Sequence, residues 1–413
     1  MRTNTPFGAR IHLTIPVLLL MALNVAGAAE RTASQVEVAA GRTALNAVSE
    51  SQSGEDTSSE EDDAPRGGET WYVDDDAPRG GNTLYVDDNA SPGGDGTSWS
   101  TAFRFLQDAL HVAAGGDEIR VAAGTYTPDR DEAGNVTPGD RDATFWLVNG
   151  VGVFGGYAGL SNPADPDEHD IEEYESTLSG DLSGNDGRVP CVNDALACNL
   201  FGRRCADDGY CIISDNTNEN SYHVVIGSGT DASAVLDGFT ITAGNANGSY
   251  PRDSGGGMHN WIGSDIIANC RFIGNVAIDG GGMYNDRSDP VVINCTIRAN
   301  AASSRGGGMF NQISSPAVIN CTFRGNSAGG GGGMFNFRRS SPAVTNCAFG
   351  GNSANSDGGG MFNVDNSSPA VTNCTFNANA ARLFGGGMFI FLYPFTAFSG
   401  FYLMAGLKSR GVT

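Results

Sequence analysis

Carboxylates, cations and an amide recur shortly after a repeated methionine in the second half of the chain. These polar positions are Asp286, Arg287, Gln312, Arg338, Arg339 and Asp365. Cleavage of a glycosidic bond needs a pair of carboxyl groups, and elimination from an acidic sugar needs Ca²⁺ ligands with a basic proton acceptor. The positions offer no Asp-Asp pair, and His259 stands alone. The sequence therefore identifies no catalytic residue and favours surface ion pairs. If the protein is an enzyme, Asp286, Arg338 and Asp365 are the charges expected to form its site.

An aromatic residue usually follows the repeated methionine and offers a different chemistry, contact with a flat apolar ligand. The column of these residues is His259, Tyr284, Phe310, Phe335, Phe362 and Phe389. Alternation along a strand places the methionine inside and the next side chain outside. Because a row of exposed rings is unusual, it indicates binding to sugar rings or to a partner protein. The predicted binding residues are Tyr284, Phe310, Phe335 and Phe362. The alternative is that the column turns inward or is covered by the loops that follow it.

The residues that must position these side chains repeat at a fixed period. The methionine column is Met258, Met283, Met309, Met334, Met361 and Met388, and the cysteine column is Cys270, Cys295, Cys321, Cys347 and Cys374. Their spacing is 25 to 27 residues. A period of this length indicates that each unit is one coil of a solenoid, which buries its apolar face only against its neighbours.

Each coil contains short strands joined by sharp bends. The cysteine stands two residues before a large apolar residue, as in Cys321 and Phe323, which is the alternation of a strand. An apolar residue also lies three positions before each cysteine, and this odd spacing requires a bend between them. The residue at the bend is always asparagine: Asn269, Asn294, Asn320, Asn346 and Asn373. Asparagine tolerates the left-handed conformation, and stacked coils would place these amides about 4.8 Å apart, close enough to hydrogen-bond.

These features predict an all-β protein, a right-handed parallel β-helix with an N-terminal capping α-helix. The predicted cap is the helical pattern of residues 99–113, with Ser98 or Ser100 at its start. A solenoid end exposes unpaired backbone and needs a cover. We assign residues 71–126 to N-terminal strands and the cap, 127–250 to irregular coils, and 251–389 to regular coils.

The regular coils resemble the pectin-lyase-like β-helix superfamily, and especially the repeat of the chlamydial polymorphic outer-membrane proteins. That repeat carries a Gly-Gly-apolar motif and a Phe-x-x-Asn motif, which here read GGGMF at 306–310 and 331–335, and Phe323 to Asn326. Methionine replaces the small and aliphatic residues usual in that family. The resemblance implies an exported cell-surface or extracellular protein that acts in adhesion or in polysaccharide or partner binding. The alternative is a polysaccharide lyase or glycoside hydrolase of the pectin-lyase-like group.

Two sets of cysteines are expected to behave differently. Four lie close together in an insertion at 185–220: Cys191, Cys198, Cys205 and Cys211. In an exported chain they most simply form two disulfides, in one of three connectivities. A zinc site fits poorly because the insertion has no Cys-x-x-Cys pair and no histidine between the cysteines. The five cysteines of the repeat are expected to remain free thiols in a packed column.

The N-terminal part of the chain reads as an export leader followed by a tether. Residues 1–28 contain early arginines, an apolar run and a small-residue cleavage site, which is the pattern of a signal peptide. Residues 29–70 form an acidic linker too poor in apolar residues to order itself. A duplication follows, DDAPRGGETWYVD at 62–74 and DDAPRGGNTLYVD at 75–87. The extra copies extend the linker or add an edge strand. Their Asp pairs are compatible with Ca²⁺, but the spacing does not match a calcium loop.

Residues 390–413 depart from the repeat and form an apolar tail. Three explanations remain open: a truncated or altered end of a longer solenoid, a membrane anchor, and a hydrophobic cap. The formal net charge of −23 argues against nucleic acid as a partner, because phosphate binding needs clustered cations. The expected partners are therefore a polysaccharide or a cell-surface protein, with membrane association possible through the tail. The expected location is secreted, or at the cell surface or outer membrane, and no cofactor is identified apart from possible Ca²⁺.

Overall fold

The chain winds as a solenoid of parallel strands in a computed structural model that describes residues 80–190, 210–213 and 217–391. The predicted all-β parallel solenoid is confirmed. A regular coil visits four sheets in turn, and each strand pairs with the equivalent strand of the next coil. We number the sheets 1 to 4 in the order in which the coil visits them.

The strands of sheets 1 and 2 carry the methionine and valine columns. Sheet 1 contains β4 (Phe145–Trp146), β9 (Val225–Ile226), β13 (Met258–Trp261), β17 (Met283–Asp286), β21 (Met309–Gln312), β25 (Met334–Phe337), β29 (Met361–Val364) and β33 (Met388–Phe391). Sheet 2 contains β1 (Thr83–Val86), β2 (Glu118–Ala122), β5 (Gly152–Tyr157), β10 (Val235–Asp237), β14 (Ile266–Ala268), β18 (Val291–Ile293), β22 (Ala317–Ile319), β26 (Ala343–Thr345) and β30 (Ala370–Thr372).

Sheets 3 and 4 complete the coil. Sheet 3 contains β3 (Gly124–Tyr126), β6 (Ser176–Ser179), β11 (Phe239–Thr242), β15 (Arg271–Ile273), β19 (Thr296–Arg298), β23 (Thr322–Arg324), β27 (Ala348–Gly350) and β31 (Thr375–Asn377). Sheet 4 contains β12 (Asn245–Ala246), β16 (Val276–Asp279), β20 (Ala301–Arg305), β24 (Ser327–Ala328), β28 (Ser353–Ala354) and β32 (Ala380–Ala381). Outside the solenoid sheets, β7 (Gly187–Pro190) and β8 (Tyr210–Ile213) pair antiparallel.

The strand register brings like residues together along the solenoid. Met283 lies opposite Met309, and Phe323 lies opposite Phe349, with their rings stacked 4.6 Å apart. The core is a continuous cluster of buried methionine, valine, cysteine and phenylalanine side chains. The repeat cysteines are free thiols, as predicted. Cys191, Cys198 and Cys205 lie outside the described residues, as does the side chain of Cys211, so the predicted disulfides stay a prediction.

The bend between sheets 2 and 3 has the predicted conformation. Asn294, Asn320 and Asn346 have φ values of 54°, 54° and 55°. The Asn320 amide donates to Asn294 Oδ1 at 3.2 Å, and the Asn346 amide donates to Asn320 Oδ1 at 3.2 Å. The asparagine therefore satisfies the backbone requirement of the bend and links neighbouring coils through its side chain.

Two further asparagine columns run inside the solenoid, where the sequence analysis placed no ladder. In the first, between sheets 3 and 4, the Asn326 amide donates to Asn352 Oδ1 at 2.9 Å and to the Ile297 carbonyl at 2.8 Å. The second lies in sheet 1, where the Asn285 amide donates to Asn311 Oδ1 at 2.9 Å. The four asparagines belong to continuous, buried columns. Each of them is 0% exposed: Asn285, Asn311, Asn326 and Asn352. Because each buried amide has a partner in the next coil, the columns hold the polar groups without an unpaired donor.

The predicted N-terminal helix is shorter than expected. A 3₁₀ turn covers Trp99–Thr101, and the α-helix α1 covers only Leu106–Val112. The prediction was wrong for the first turn because Phe103 is extended: its amide donates to the Tyr85 carbonyl at 2.8 Å, which attaches it to β1. Leu106 and Leu110 of α1 pack into the core. The role of α1 as a cap stays a prediction. Other short 3₁₀ turns lie at Gly159–Ser161 and Thr217–Glu219.

The second copy of the duplication supplies β1 at the edge of sheet 2, which agrees with one of the two expected roles. The first copy, the leader and the linker lie outside the described residues. The tail is described only for residues 390 and 391, so its three explanations stay open. Among the described residues, no helix is long and apolar enough to cross a membrane. The domain boundaries given above stay predictions.

A buried carboxyl group stands where the sheet 1 asparagine column begins. Asp265 is 0% exposed, and Asp265 Oδ2 and Asn260 Oδ1 both lack a hydrogen-bond partner. Burial raises the pKa of Asp265 to about 7. The preceding coil has Gly227 beside these two oxygens, where a Cβ would lie 2.0 Å from Asp265 Oδ2. The site is therefore tight and dry, and it favours a protonated, neutral carboxyl group.

We expect Asn326→Ala to lower the free energy of unfolding by about 2–4 kcal/mol, because it leaves the Ile297 carbonyl without its side-chain donor and the two Asn300 donors without their acceptor. Chemical denaturation of the full chain measures the effect. Asn377→Ala, at an exposed position of β31, is the matched control and should change stability by less than about 0.5 kcal/mol. Equal losses in the two variants would contradict a structural role for the inner column.

We expect Asp265→Asn to stabilise the protein at pH 8 by about 2–4 kcal/mol and to have little effect at pH 4. The folded state raises the pKa of Asp265 from 3.8 to about 7. The stability supplied by the neutral carboxyl is therefore complete below pH 4 and lost as the pH rises through 7. Thermal unfolding across this pH range measures the difference. A parent and a variant with parallel pH profiles would refute this account.

Candidate binding surface

The outer face of sheet 1 carries two rows of side chains that follow the aromatic column. One row, at the ends of the strands, is Trp261, Asp286, Gln312 and Phe337, which lie opposite one another in register. The next residue of each coil forms the other row: Ile262, Arg287, Ile313 and Arg338. Backbone hydrogen bonds keep the second row aligned, for example from the Ile262 amide to the Asp286 carbonyl at 3.0 Å. We call these two rows together the corner ladder.

The exposed members of the corner ladder combine apolar groups with cations. Trp261, Ile262 and Ile313 are 47%, 52% and 42% exposed. Arg287 and Arg338 are also exposed. The Arg338 guanidinium lies 5.0 Å from the centre of the Phe337 ring, so that cation and ring form one surface.

The two isoleucines of the corner ladder have strained backbones. Ile262 has φ 54° and Ile313 has φ 53°, in the left-handed region that a β-branched residue avoids. Each such residue costs about 1–3 kcal/mol, and glycine or asparagine would fit at a lower cost. Strain of this kind is concentrated at functional sites, which makes the corner ladder a candidate.

The aromatic column itself is not exposed, so this part of the prediction was wrong. Tyr284, Phe310 and Phe335 are 4%, 0% and 6% exposed, and Phe362 is half-buried. The column does face outward, because its side chains form a cluster separate from the methionine core. The stated alternative is correct in that the column is covered, but the cover does not come from the loops that follow it. A role of these four residues in binding stays a prediction, but burial removes the open ring faces on which it was based.

The cover comes from the segment that precedes each methionine strand. The Arg305 guanidinium lies 4.8 Å from the centre of the Phe310 ring and forms an ion pair with Asp279 at 2.5 Å. Gly330 lies beside two further rings, and a Cβ there would be 3.2 Å from Phe335 and 3.1 Å from Phe362. The column is thus closed by a cation and by backbone that approaches the rings.

Burial also suppresses the titration of the polar members of the column. Two histidine rings lie at the start of the column: the rings of His223 and His259 are tilted and 4.8 Å apart, and His259 stacks on Tyr284 at 5.1 Å. Burial lowers the pKa of His259, and burial together with His259 lowers the pKa of His223 to about 3. Burial raises the pKa of the Tyr284 hydroxyl. These groups stay neutral near pH 7, as suits a packing role.

The two candidate catalytic carboxylates are not brought together. Asp286 ends β17 and Asp365 follows β29, three coils further along the solenoid. Three coil steps span about 14 Å, whereas paired catalytic carboxyls stand about 5–9.5 Å apart. Asp286 is also buried, with Oδ2 3.6 Å from the Arg287 guanidinium. These described residues therefore do not form a carboxylate pair for glycoside hydrolysis.

Trp261, Ile262 and Ile313 were not identified from the sequence, although a signal for two of them was present. The second row of the corner ladder stands four residues after each methionine, from Met258 and Ile262 onward. This fixed offset marks a second bend, and an exposed isoleucine at a bend is unusual enough to notice. The polar members Arg287, Gln312 and Arg338 were identified, and the structure brings them into one ladder.

Comparison with known proteins gives only distant structural similarity. No protein-family model matches the chain, and no curated protein matches it either. A crystal structure of pectate lyase Pel9A is similar with a TM-score of 0.38 and 13% identity, over 65% of this chain and 54% of that protein. A rhamnogalacturonan lyase has a TM-score of 0.33 and 13% identity, over 70% of this chain and 75% of that protein. The chain thus spans about half the length of the pectate lyase.

We expect Phe310→Ala to lower the free energy of unfolding by about 3–5 kcal/mol, because it opens a cavity in the covered column. Trp261→Ala is the matched control on the same face, and its exposed ring should contribute less than about 1 kcal/mol. Chemical denaturation of both variants measures the difference. If Phe310→Ala is as mild as Trp261→Ala, the aromatic column does not have a packing role.

Proposed function

We propose that the corner ladder binds an extended anionic polysaccharide, without cleaving it. The observation that carries the proposal is the pair of strained, exposed isoleucines that alternate with Arg287 and Arg338. A position that only had to turn the chain would be served better by glycine or asparagine. Exposed apolar side chains combined with guanidinium groups therefore support a role in recognition.

The chemistry of the corner ladder suits a chain of uronate sugars. Guanidinium groups bind carboxylates through paired, charge-assisted hydrogen bonds, and arginine does this better than lysine. The exposed Trp261 ring and the two isoleucines offer apolar contact to the faces of sugar rings. Because coils repeat about every 4.8 Å, the same contact recurs along an extended ligand.

The distribution of charge supports an anionic ligand at this part of the chain. The whole chain has a formal net charge of −23. Residues 251–389 contain nine arginines and seven aspartates, which gives a formal net charge of +2. Asp265 is one of the seven aspartates, and Asp279 is paired with Arg305. The regular coils thus avoid the repulsion that the acidic N-terminal part would exert on a polyanion.

An exported, cell-surface or extracellular location belongs to the same proposal. The leader at 1–28, the acidic linker at 29–70 and the resemblance of the repeat to the chlamydial outer-membrane proteins support it. In this setting the protein acts in adhesion to, or retention of, an acidic polysaccharide. Cleavage by a lyase or hydrolase mechanism is the competing function, and the experiment below distinguishes the two.

We expect the full chain to bind a soluble polyuronate and the double variant Arg287→Gln/Arg338→Gln to bind it about 10-fold more weakly, from the loss of two exposed ion pairs. The matched control is Arg298→Gln/Arg324→Gln, which removes the same charge from adjacent coils of sheet 3. It should retain the parent affinity. Calorimetric titration, at low and high salt, measures all three proteins, and added salt should weaken the parent complex.

Two outcomes would contradict the proposal. Equal affinity of the parent and Arg287→Gln/Arg338→Gln would show that the corner ladder is not the binding surface. Release of unsaturated or reducing ends from the polyuronate, with or without Ca²⁺, would show that the protein is an enzyme. An uncharged polysaccharide of similar length tests whether the carboxylates are required.

A further inference from the structure

Three carboxylates from two segments of the chain converge beside the irregular coils. Asp181 and Asp186 follow β6, and Glu219 ends the 3₁₀ turn Thr217–Glu219. One ligand oxygen of each lies within 4.8 Å of the others. No other group of three or more such side chains was found in the described part of the chain. Proximity of acids alone does not identify a site, but the neighbouring polar atoms add a separate observation.

Polar atoms at this cluster are buried and lack partners. Both carboxylate oxygens of Glu219 are inaccessible to solvent and accept no hydrogen bond. Asn220 is 1% exposed, and its amide nitrogen donates to Asp186 Oδ2 at 2.9 Å, which places this side chain beside the cluster. Its oxygen, Asn220 Oδ1, accepts no hydrogen bond. Buried oxygens of this kind are costly unless a cation binds them.

The nearby protein cation does not fill this role. The Arg141 guanidinium donates to the backbone carbonyls of Asn220 and Asn245, at 2.6 and 2.9 Å, and to Asn247 Oδ1 at 2.9 Å. These hydrogen bonds of Arg141 are therefore directed to neutral oxygens. The charge of Glu219 affects Arg141 only by opposing the lowering of its pKa that burial causes.

The two aspartates are held in place by backbone contacts. Asp181 accepts hydrogen bonds from the amides of Asn185 at 3.1 Å and Asp186 at 2.9 Å, which closes the loop between them. On the other segment, the Asn220 amide nitrogen also donates to the Ala243 carbonyl at 2.8 Å. The three carboxylates thus converge from two segments of fixed backbone.

We propose that Asp181, Asp186 and Glu219 form a binding site for Ca²⁺, with the Asn220 side chain beside it. Calcium takes carboxylate and amide oxygens at about 2.3–2.6 Å, so that two ligands on opposite sides of one ion stand about 5 Å apart. The 4.8 Å limit between the ligand atoms fits this distance. The donor set contains only oxygen and carries three negative charges, which suits a hard divalent cation and disfavours zinc.

The site joins the two ends of the insertion. Asp186 precedes the segment that contains the four clustered cysteines, and Glu219 follows it. A bound ion would link the loop after β6 to the turn that leads back into sheet 1, and it would stabilise only the folded chain. This role is independent of the corner ladder and of the function proposed for it.

The test is a calorimetric titration of the full chain with Ca²⁺ after removal of cations with a chelator. We expect one saturable high-affinity site and a higher unfolding temperature with Ca²⁺. Glu219→Gln should weaken binding at least about 10-fold, since it removes one of three ligand charges. Glu173→Gln, at an exposed position just before β6, is the matched control and should bind like the parent.

Two results would overturn the proposal. The first is no saturable binding by the parent at millimolar Ca²⁺. The second is unchanged binding in Glu219→Gln, which would assign the ion to another acidic part of the chain. If Glu219→Gln does not fold, Asp181→Asn decides the question, because it removes one ligand charge while its amide oxygen still accepts one of the two backbone hydrogen bonds. Weaker Ca²⁺ binding by that variant supports the site, and parent-like binding refutes it.

Discussion

The structure depends on the hydrogen bonding of each coil to the next one. A parallel strand of three or four residues is not stable alone, and its backbone groups must find partners in the neighbouring coils. This requirement keeps the coils at nearly equal length and places each residue against its counterpart. Columns of methionine, valine, cysteine and phenylalanine follow from it. The three asparagine columns follow too, because an amide can donate to one neighbour and accept from the other.

This constraint explains which features could be predicted from the sequence. The period set the register, and Asn320 could be assigned to a left-handed bend from an odd spacing between apolar residues. Both are properties of one coil repeated. The inner columns that contain Asn285 and Asn326 have the same periodicity, but only the asparagines at the bend were predicted to form a ladder. The repeat therefore encodes two inner asparagine columns as well as the outer one.

The incorrect predictions concern contacts between segments that are not equivalent. Whether Phe310 is exposed depends on where the preceding segment places Arg305, and alternation along a strand does not determine that position. The start of α1 depends on the pairing of Phe103 with β1, which comes from another part of the chain. The methionine period marks the position of Ile262, but its exposure depends on the packing around it. Non-local packing thus decided the features that bear most on function.

The candidate sites lie where the repetition is varied or interrupted. Along the corner ladder, the backbone repeats while the side chains alternate between isoleucine and arginine, so that a regular scaffold presents a non-uniform surface. At the border with the irregular coils, Gly227 stands opposite Asn260 and has no side-chain amide to continue the column. The buried Asp265 lies at that end of the column. Glu219 and Asn220 also belong to an irregular coil and have oxygens without a partner. A polar residue inside the repeat is satisfied by its copies, whereas one at an irregularity needs a proton, an ion or a ligand. The irregularities of a solenoid are therefore the places where its chemistry is to be sought.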